Sequence, residues 1–339
     1  CIELDQNANA YVNRGNEYAF LQDYAKAISD YDSALERNPH DNKAWLFRAL
    51  ANMELKRFKE AISDLANIGL NPEGLLEIWD YLYYTADAYY KLKDYAKAES
   101  ILANPSDFML ELSTKRLDFH GLRAKIYADT GRHDLAVDEF VAAISRYPTA
   151  DNYYNYGNSL SALGISTEAI TAWSMSLSLA EDVKTKTFAL NNRANEFLKT
   201  RRFNLALADL GEAIKLNPNY VNALMTRGYV YFVLGDSQRA LADFSKVISL
   251  DPENPAGYYN RSNVMSKSGD SQGALADLNK VISLDPRYAS AYSSRANLKR
   301  RLGDNYGACS DYKQLALLGN KKSTQWLQSD SGSWCRNMR

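Results

Sequence analysis

The stretch RGYVYFVLGDSQRALADFSKVISLDP, residues 227–252, returns 34 residues later as RSNVMSKSGDSQGALADLNKVISLDP, residues 261–286. A glycine loop built for a ligand has no reason to recur with both flanks intact, whereas a structural unit does. Each copy carries an apolar helical pattern, a break at Gly-Asp-Ser-Gln, a second helical pattern and a closing Asp-Pro. At the break, Gly235 supplies the left-handed backbone that ends a helix and Asp236 caps the next one. The same punctuation stands at Gly131, Gly269 and Gly303, and Pro39, Pro72, Pro218, Pro252 and Pro286 limit the preceding helices. These glycines therefore read as helix stops and not as phosphate cradles.

Nine alanines mark the unit along the chain: Ala27, Ala61, Ala98, Ala136, Ala169, Ala206, Ala240, Ala274 and Ala308, at separations of 34, 37, 38, 33, 37, 34, 34 and 34. A chain of 339 residues would ordinarily suggest two or three domains, but an array grows by adding units to one continuous core. We expect one array over residues 1–318 and a capping segment over 319–339, where Trp326 and Leu327 cover the last repeat. Within a unit, Gly228 and Ala240 are the small residues at the crossing of two antiparallel helices, with Leu224, Tyr231 and Phe244 filling around them.

Charge repeats with the same period. Arg14, Arg48, Arg123, Arg193, Arg227, Arg261 and Arg295 are each followed sixteen residues later by Asp30, Asp64, Glu139, Asp209, Asp243, Asp277 and Asp311. The two units without the arginine, with Thr85 and Tyr156 in its place, also lack the acid, with Ile101 and Ala172. The pairs read as structural ion pairs across each helical hairpin.

The residues Tyr11, Gly15, Tyr18, Ala27, Tyr31, Ala34 and Pro39, and again Leu224, Gly228, Tyr231, Ala240, Phe244, Val247 and Pro252, resemble the tetratricopeptide repeat family. His120, Ala124, Tyr127, Ala136, Phe140, Ala143 and Pro148 fit the same pattern, and the resemblance covers about residues 8–318. It implies an all-α fold, a right-handed superhelical solenoid of antiparallel helix pairs, with the first helix of each pair facing a concave groove. It also implies an extended peptide or protein segment as the partner. Carried over by family position, the groove residues are Asn16, Tyr83, Asp87, Lys125, Tyr154, Asn158, Asn191, Asn195, Met225, Tyr229, Tyr259, Asn263 and Asn297. The peptide-binding set is drawn from Asn158, Asn191, Asn195, Met225, Tyr229, Tyr259, Asn263 and Asn297, with the strip around Asn191 and Asn195 foremost. Asparagine amides both donate to and accept from a peptide backbone, while Tyr and Met give apolar contact without demanding a charge. Some relatives grip a C-terminal carboxylate with lysine and asparagine; here the lysine positions hold Tyr154, Asn191, Tyr259 and Ser293. Lys267, Lys299, Arg300 and Arg301 are the cations left near an acidic segment, or are simply a solvated face.

Forty Lys plus Arg against forty-one Asp plus Glu, net −1, exclude the sustained positive field of a general nucleic-acid binder, so no specific nucleic acid is expected. No apolar run is long enough to span a bilayer. The three histidines, His40, His120 and His133, come without a ligand set for zinc, no nucleotide-binding or zinc-protease motif occurs, and no nucleophile has a base beside it; neither enzyme activity nor a cofactor is expected. Cys309 and Cys335 are spaced for a terminal disulfide, which would place the protein in an oxidising compartment, or are two reduced thiols. Cys1 is the residue a lipid-anchored envelope protein would begin with, and equally a residue an arbitrary cut would leave; envelope or periplasm and cytoplasm stay open. The reading is a non-enzymatic protein-interaction scaffold binding through its groove, with a structural component binding through its convex face or array edge as the alternative and RNA binding third.

Overall fold

The computed structural model describes residues 2–69, 75–103, 117–329 and 332–336. Cys1, Pro72 and most of the inserted joints at 71–79 and 104–117 lie outside these residues. Every described element is a helix, and none of the helices is long and apolar enough to cross a membrane. By contacts the chain divides into two compact units, Cys1–Ala172 and Trp173–Arg339.

The first unit holds α1 (Ile2–Phe20), α2 (Tyr24–Arg37), α3 (Asn42–Glu54), α4 (Phe58–Ala66), α5 (Leu75–Lys91), α6 (Tyr95–Leu102), α7 (Phe119–Asp129), α8 (His133–Arg146) and α9 (Ala150–Ala162). Helix α10 (Ser166–Leu179) runs across the boundary. The second unit continues with α11 (Val183–Lys199), α12 (Phe203–Leu216), α13 (Val221–Leu234), α14 (Ser237–Leu250), α15 (Pro255–Lys267), α16 (Ser271–Leu284), α17 (Ala289–Arg301), α18 (Asn305–Leu317), α19 (Lys321–Gln328) and α20 (Ser333–Arg336).

Local chemistry sets the helix ends. The side chains of Asp236, Asp270 and Asp304 accept hydrogen bonds from the backbone N–H of Arg239, Gly273 and Gly307 at 3.0, 2.9 and 2.8 Å, satisfying donors that a helix start leaves open. Gly235 closes α13 with φ of 84°, as its position after an apolar helix led one to expect. Four non-glycine residues, Gln22, Lys56, Lys93 and Arg201, occupy the equivalent turn with φ near 60°. The turn geometry is therefore imposed by the hairpin and not by glycine alone.

All nine repeating alanines are 0% exposed. Their burial follows from close helix crossing. A Cβ placed on Gly228 would stand 2.8 Å from a ring carbon of Phe244, and one on Gly15 would stand 2.6 Å from Tyr31. A glycine on the first helix thus makes the room that the aromatic residue of the second helix fills.

The seven Arg–acid pairs form as spaced. Arg227 reaches Asp243 through Nε and a terminal nitrogen at 2.8 Å each, and Arg193, Arg261, Arg295, Arg14 and Arg48 hold their aspartates in the same two-pronged way. Arg123 binds Glu139 at 2.8 Å, and His120 Nδ1 takes the other carboxylate oxygen at 2.8 Å. Burial pushes the Glu139 carboxyl up, but hydrogen bonds from His120 and Arg123 outweigh it and hold the group below the usual carboxylate range. His120 is thus a pairing residue rather than a mere filler of the bulky position.

Several arginines also reach backwards. Arg48 contacts Asp32 at 2.5 Å, Arg261 contacts Ser245 at 3.2 Å and Arg295 contacts Asn279 at 2.6 Å, each sixteen residues earlier on the second helix of the preceding hairpin. Arg193 does the same to Ser174 at 2.8 Å. One guanidinium therefore ties its own hairpin and the one before it.

At the C-terminal end, Trp326 on α19 packs 4.6 Å from the Tyr312 ring of α18 and 5.8 Å from Trp334 of α20. Cys309 and Cys335 are joined in a disulfide with Cα atoms 5.3 Å apart, both buried. The short terminal helices are thereby fastened over the last hairpin.

Two outcomes are expected. Arg227→Met alone leaves Asp243 as a buried carboxylate without its partner and should cost about 3 kcal/mol, while the double change Arg227→Met/Asp243→Leu should cost clearly less; thermal midpoints of both variants decide it, and equal losses would deny the pair its structural role. Replacing Cys335 with Ser should cost about 3 kcal/mol of local stability and raise amide exchange in α18 to α20 while leaving α11 and α12 protected.

Candidate functional site

The residues carried over as groove candidates all lie on the first helix of their hairpins. In the first unit they form a network rich in tyrosine and acid. Tyr83 packs against Phe119 at 5.2 Å and Tyr84 at 5.5 Å, so much of its ring serves the core between α5 and α7. Asp87, one turn further along α5, lies 4.0 Å from Lys91. Burial pushes its carboxyl above the usual range, against the opposing charges of Lys91 and Lys125. Lys125 pairs with Asp151 at 2.5 Å, and Tyr90 donates to Asp129 at 2.9 Å. Burial, then that hydrogen bond, raises the Tyr90 hydroxyl. Tyr154 and Asn158 are half-buried on α9.

In the second unit the expected residues fall into distinct situations. Asn191 is only 4% exposed, its amide nitrogen 3.4 Å from Asn192 Oδ1 and its own oxygen without a partner. The expectation that Asn191 leads a peptide-binding strip is corrected here: α11 turns it into the helix packing and leaves too little surface for a ligand. Asn195 is half-buried and accepts a hydrogen bond from the Thr226 hydroxyl at 3.2 Å. Met225 packs beside the Ala240, Phe244 and Val264 cluster. Tyr229 stands 46% exposed with its ring 6.5 Å from Phe232. Tyr259 stacks at 5.3 Å on Tyr288 and brings its hydroxyl 3.5 Å from Ser294.

Asn263 and Asn297 line a groove of about 430 Å³ shared by α13, α15, α16 and α17. Its apolar walls are Phe232, Leu278 and Leu298. Its polar lining adds Ser262, Ser266 and Ser294 and the two cations Lys267 and Arg301. Asn297 accepts a hydrogen bond from the Tyr312 hydroxyl at 2.8 Å, which fixes its oxygen and leaves its nitrogen as a donor. Asn263 has no hydrogen-bond partner among the described residues. Lys267 holds its ammonium 4.8 Å from the centre of the Phe232 ring, and Arg301 donates to Ser266 at 2.8 Å.

Of the four cations singled out near this end, Lys299 is claimed by the ladder, with its ammonium 3.0 Å from Asp311. Arg300 is exposed and outside the groove lining. Phe232 and the three serines carried no signal in the sequence, since small hydroxyl residues and an aromatic on α13 fit a helix surface equally well. A search one turn beyond each groove asparagine would have added Ser266 to Lys267 and Arg301, which the charge pattern had already singled out. Among the described residues no group of three His, Cys, Asp or Glu side chains is placed to hold a metal ion.

Family models described as tetratricopeptide repeat match residues 12–74 and 191–255, 117–149 and 255–288, and 80–104. Among solved structures, the C-terminal part of a TPR repeat-containing protein from Cytophaga hutchinsonii is 20% identical, with a TM-score of 0.57, over 73% of this chain and 100% of that one. A tetratricopeptide repeat protein from Parabacteroides merdae is 18% identical, with a TM-score of 0.56, over 77% and 100%. PilF of Pseudomonas aeruginosa is 18% identical, with a TM-score of 0.52, over 62% and 96%. At such identities the likeness speaks for the fold.

Proposed function

Because the chain belongs to the tetratricopeptide repeat family, whose members mediate protein–protein interactions, we propose that it is a non-enzymatic scaffold that holds an extended protein segment along the first-helix faces of its hairpins. The observation that carries this reading is the register of Tyr229, Asn263 and Asn297. They take the same place, 34 residues apart, on three successive first helices of the second unit. Tyr229 and Asn297 are exposed, and Asn263 is half-buried with an unpartnered amide at the lip of the groove.

An extended backbone offers N–H and C=O groups every few ångströms, and asparagine amides satisfy both kinds. The tyrosine gives stacking area at small conformational cost. Pre-positioning by the helices matters more than the number of contacts, because side chains already held in place lose little entropy on binding.

Short random peptides selected on the intact protein provide the test. Enriched peptides should lose about tenfold or more in affinity to the triple variant Tyr229→Ala/Asn263→Ala/Asn297→Ala and keep it towards Ala242→Arg/Lys246→Glu on the exposed side of α14. Loss confined to the α14 variant would reject the groove and favour an outer-face partner.

A further inference from the structure

The turns that join the first helix of each hairpin to the second share one edge of the second unit. Helices α11, α13 and α15 touch in succession, and antiparallel pairing puts their C-terminal ends on the same side, with α17 continuing the row. Charge is divided unevenly between this edge and the opposite one. Within four residues of these four turns stand eight lysines and arginines against four acids, whereas the four joints that link one hairpin to the next hold four against five. The acids on the cationic edge are spent locally. Glu196 is buried against Lys199 at 2.8 Å and Asp236 pairs with Arg239 at 2.6 Å, while Asp270 and Asp304 accept the N–H groups of helix starts. Arg201, Arg202 and Arg300 are exposed and have no ion pair among the described residues.

Arg201 is kept at a conformational cost. Its φ is 59°, in the left-handed region, and the N–H groups of Arg201 and Arg202 close the turn on the Leu198 and Phe197 carbonyls at 3.0 and 2.7 Å. Gly235, Gly269 and Gly303 take the same place in the other three turns of this unit, with φ of 84°, 91° and 85°. Glycine adopts such a backbone freely, so folding alone favours it at 201, and the long cationic side chain retained there serves something other than the fold. In the first unit Lys56 and Lys93 keep the same backbone, each directly after an exposed leucine, Leu55 and Leu92.

Apolar side chains stand among the cations of the second unit's edge. Leu205, Leu234 and Leu302 are each 49% exposed and Tyr306 is 65% exposed, all at its turns. A row of turn tips is convex and one or two side chains deep. It suits a surface that yields to apolar tips and carries negative charge between them. Leucines enter the boundary between headgroups and acyl chains, and arginines beside them reach back to the phosphates. We propose that this edge docks on an anionic lipid surface, with Leu205, Leu234, Leu302 and Tyr306 entering the boundary and Arg201, Arg202 and Arg300 meeting the phosphates. None of these residues lines the groove, so the proposal is independent of the groove reading.

Flotation of the full chain with vesicles of phosphatidylcholine alone, or with about 30% phosphatidylglycerol, tests it. The chain should bind the anionic vesicles about tenfold or more better than the neutral ones, and lose that preference as salt rises from about 50 to about 500 mM. Arg201→Gly/Arg202→Gln/Arg300→Gln should weaken binding about tenfold or more without lowering the melting temperature, because glycine relieves the turn at 201. Lys184→Gln/Lys186→Gln/Lys215→Gln, an equal charge change at the opposite joints, should alter it about twofold or less. Leu234→Ser/Leu302→Ser should weaken binding, whereas Leu179→Ser/Val183→Ser, at an opposite joint and similarly exposed, should not. No binding to either vesicle, equal binding to both, or equal losses from the edge variants and their counterparts would overturn the proposal. Failure on vesicles together with retention on immobilised polyglutamate, abolished by the arginine variant, would overturn it in favour of an acidic protein partner.

Discussion

The guanidinium that bridges three helices is the constraint on which the rest of the structure depends. It binds a buried acid of its own hairpin through two nitrogens and, where the chemistry allows, a polar side chain of the hairpin before it. Helical hairpins can slide along one another at little expense if only apolar faces meet, because dispersion and burial are not directional. A planar fork gripping a carboxylate is directional, so each pair sets the register of its hairpin and the backward arm sets the register of the next. Arg227 shows what fixes the backward arm: sixteen residues earlier stands Gly211, which has no side chain to receive it. Where the arginine is missing, other chemistry fills the gap. Tyr156 packs its ring beside Ala124, Ala136 and Phe140, while Thr85 is buried with its hydroxyl unpartnered.

Register, once fixed, determines what the array can present. The residue two places after each ladder position is turned roughly 200° around the helix, onto the face away from the acid. Asn16, Asp87, Lys125, Asn158, Asn195, Tyr229, Asn263 and Asn297 all hold that place. Ladder and proposed recognition positions are thus separated by helical geometry on a single element, and the second can change chemically without loosening the stack. The second helix still influences it. A tyrosine at its core-facing aromatic position, Tyr31 or Tyr312, passes a hydroxyl through to Asn16 or Asn297, whereas Leu278 leaves Asn263 unpartnered. Aromatic identity in the core therefore sets how an amide is aimed at the surface.

Much of this architecture was legible in the chain because it repeats. Nine alanines at a drifting period announce helix crossings, and arginines and acids that come and go together announce a pair. Periodicity was a poorer guide to the groove. It named Asn191 for its family position, but depth depends on how far α11 is pressed into its neighbours, which no spacing encodes. It left Lys299 and Arg301 equivalent, although one turns to Asp311 and the other to Ser266. The groove itself is assembled from four residues each of α15 and α17 with one each from α13 and α16, none of them distinctive alone. Turns with Gln22, Lys56, Lys93 and Arg201 in left-handed backbone were hidden for a similar reason, since tertiary contacts override what those residues prefer.

Net charge illustrates the same point at the level of function. A total of −1 argues against a uniform polyanion partner, which a sustained positive field would be needed to hold. Yet the first-helix surface of the first unit carries Asp87, Asp129 and Asp151 among tyrosines, and the groove of the second carries Lys267 and Arg301 without an acid. Screening confines a charge to about 8 Å at physiological ionic strength. A ligand seated on one surface therefore responds to the charges lining it and hardly at all to the sum over the chain. Near-neutral composition here is a cancellation between locally opposed surfaces, so selectivity has to be sought groove by groove.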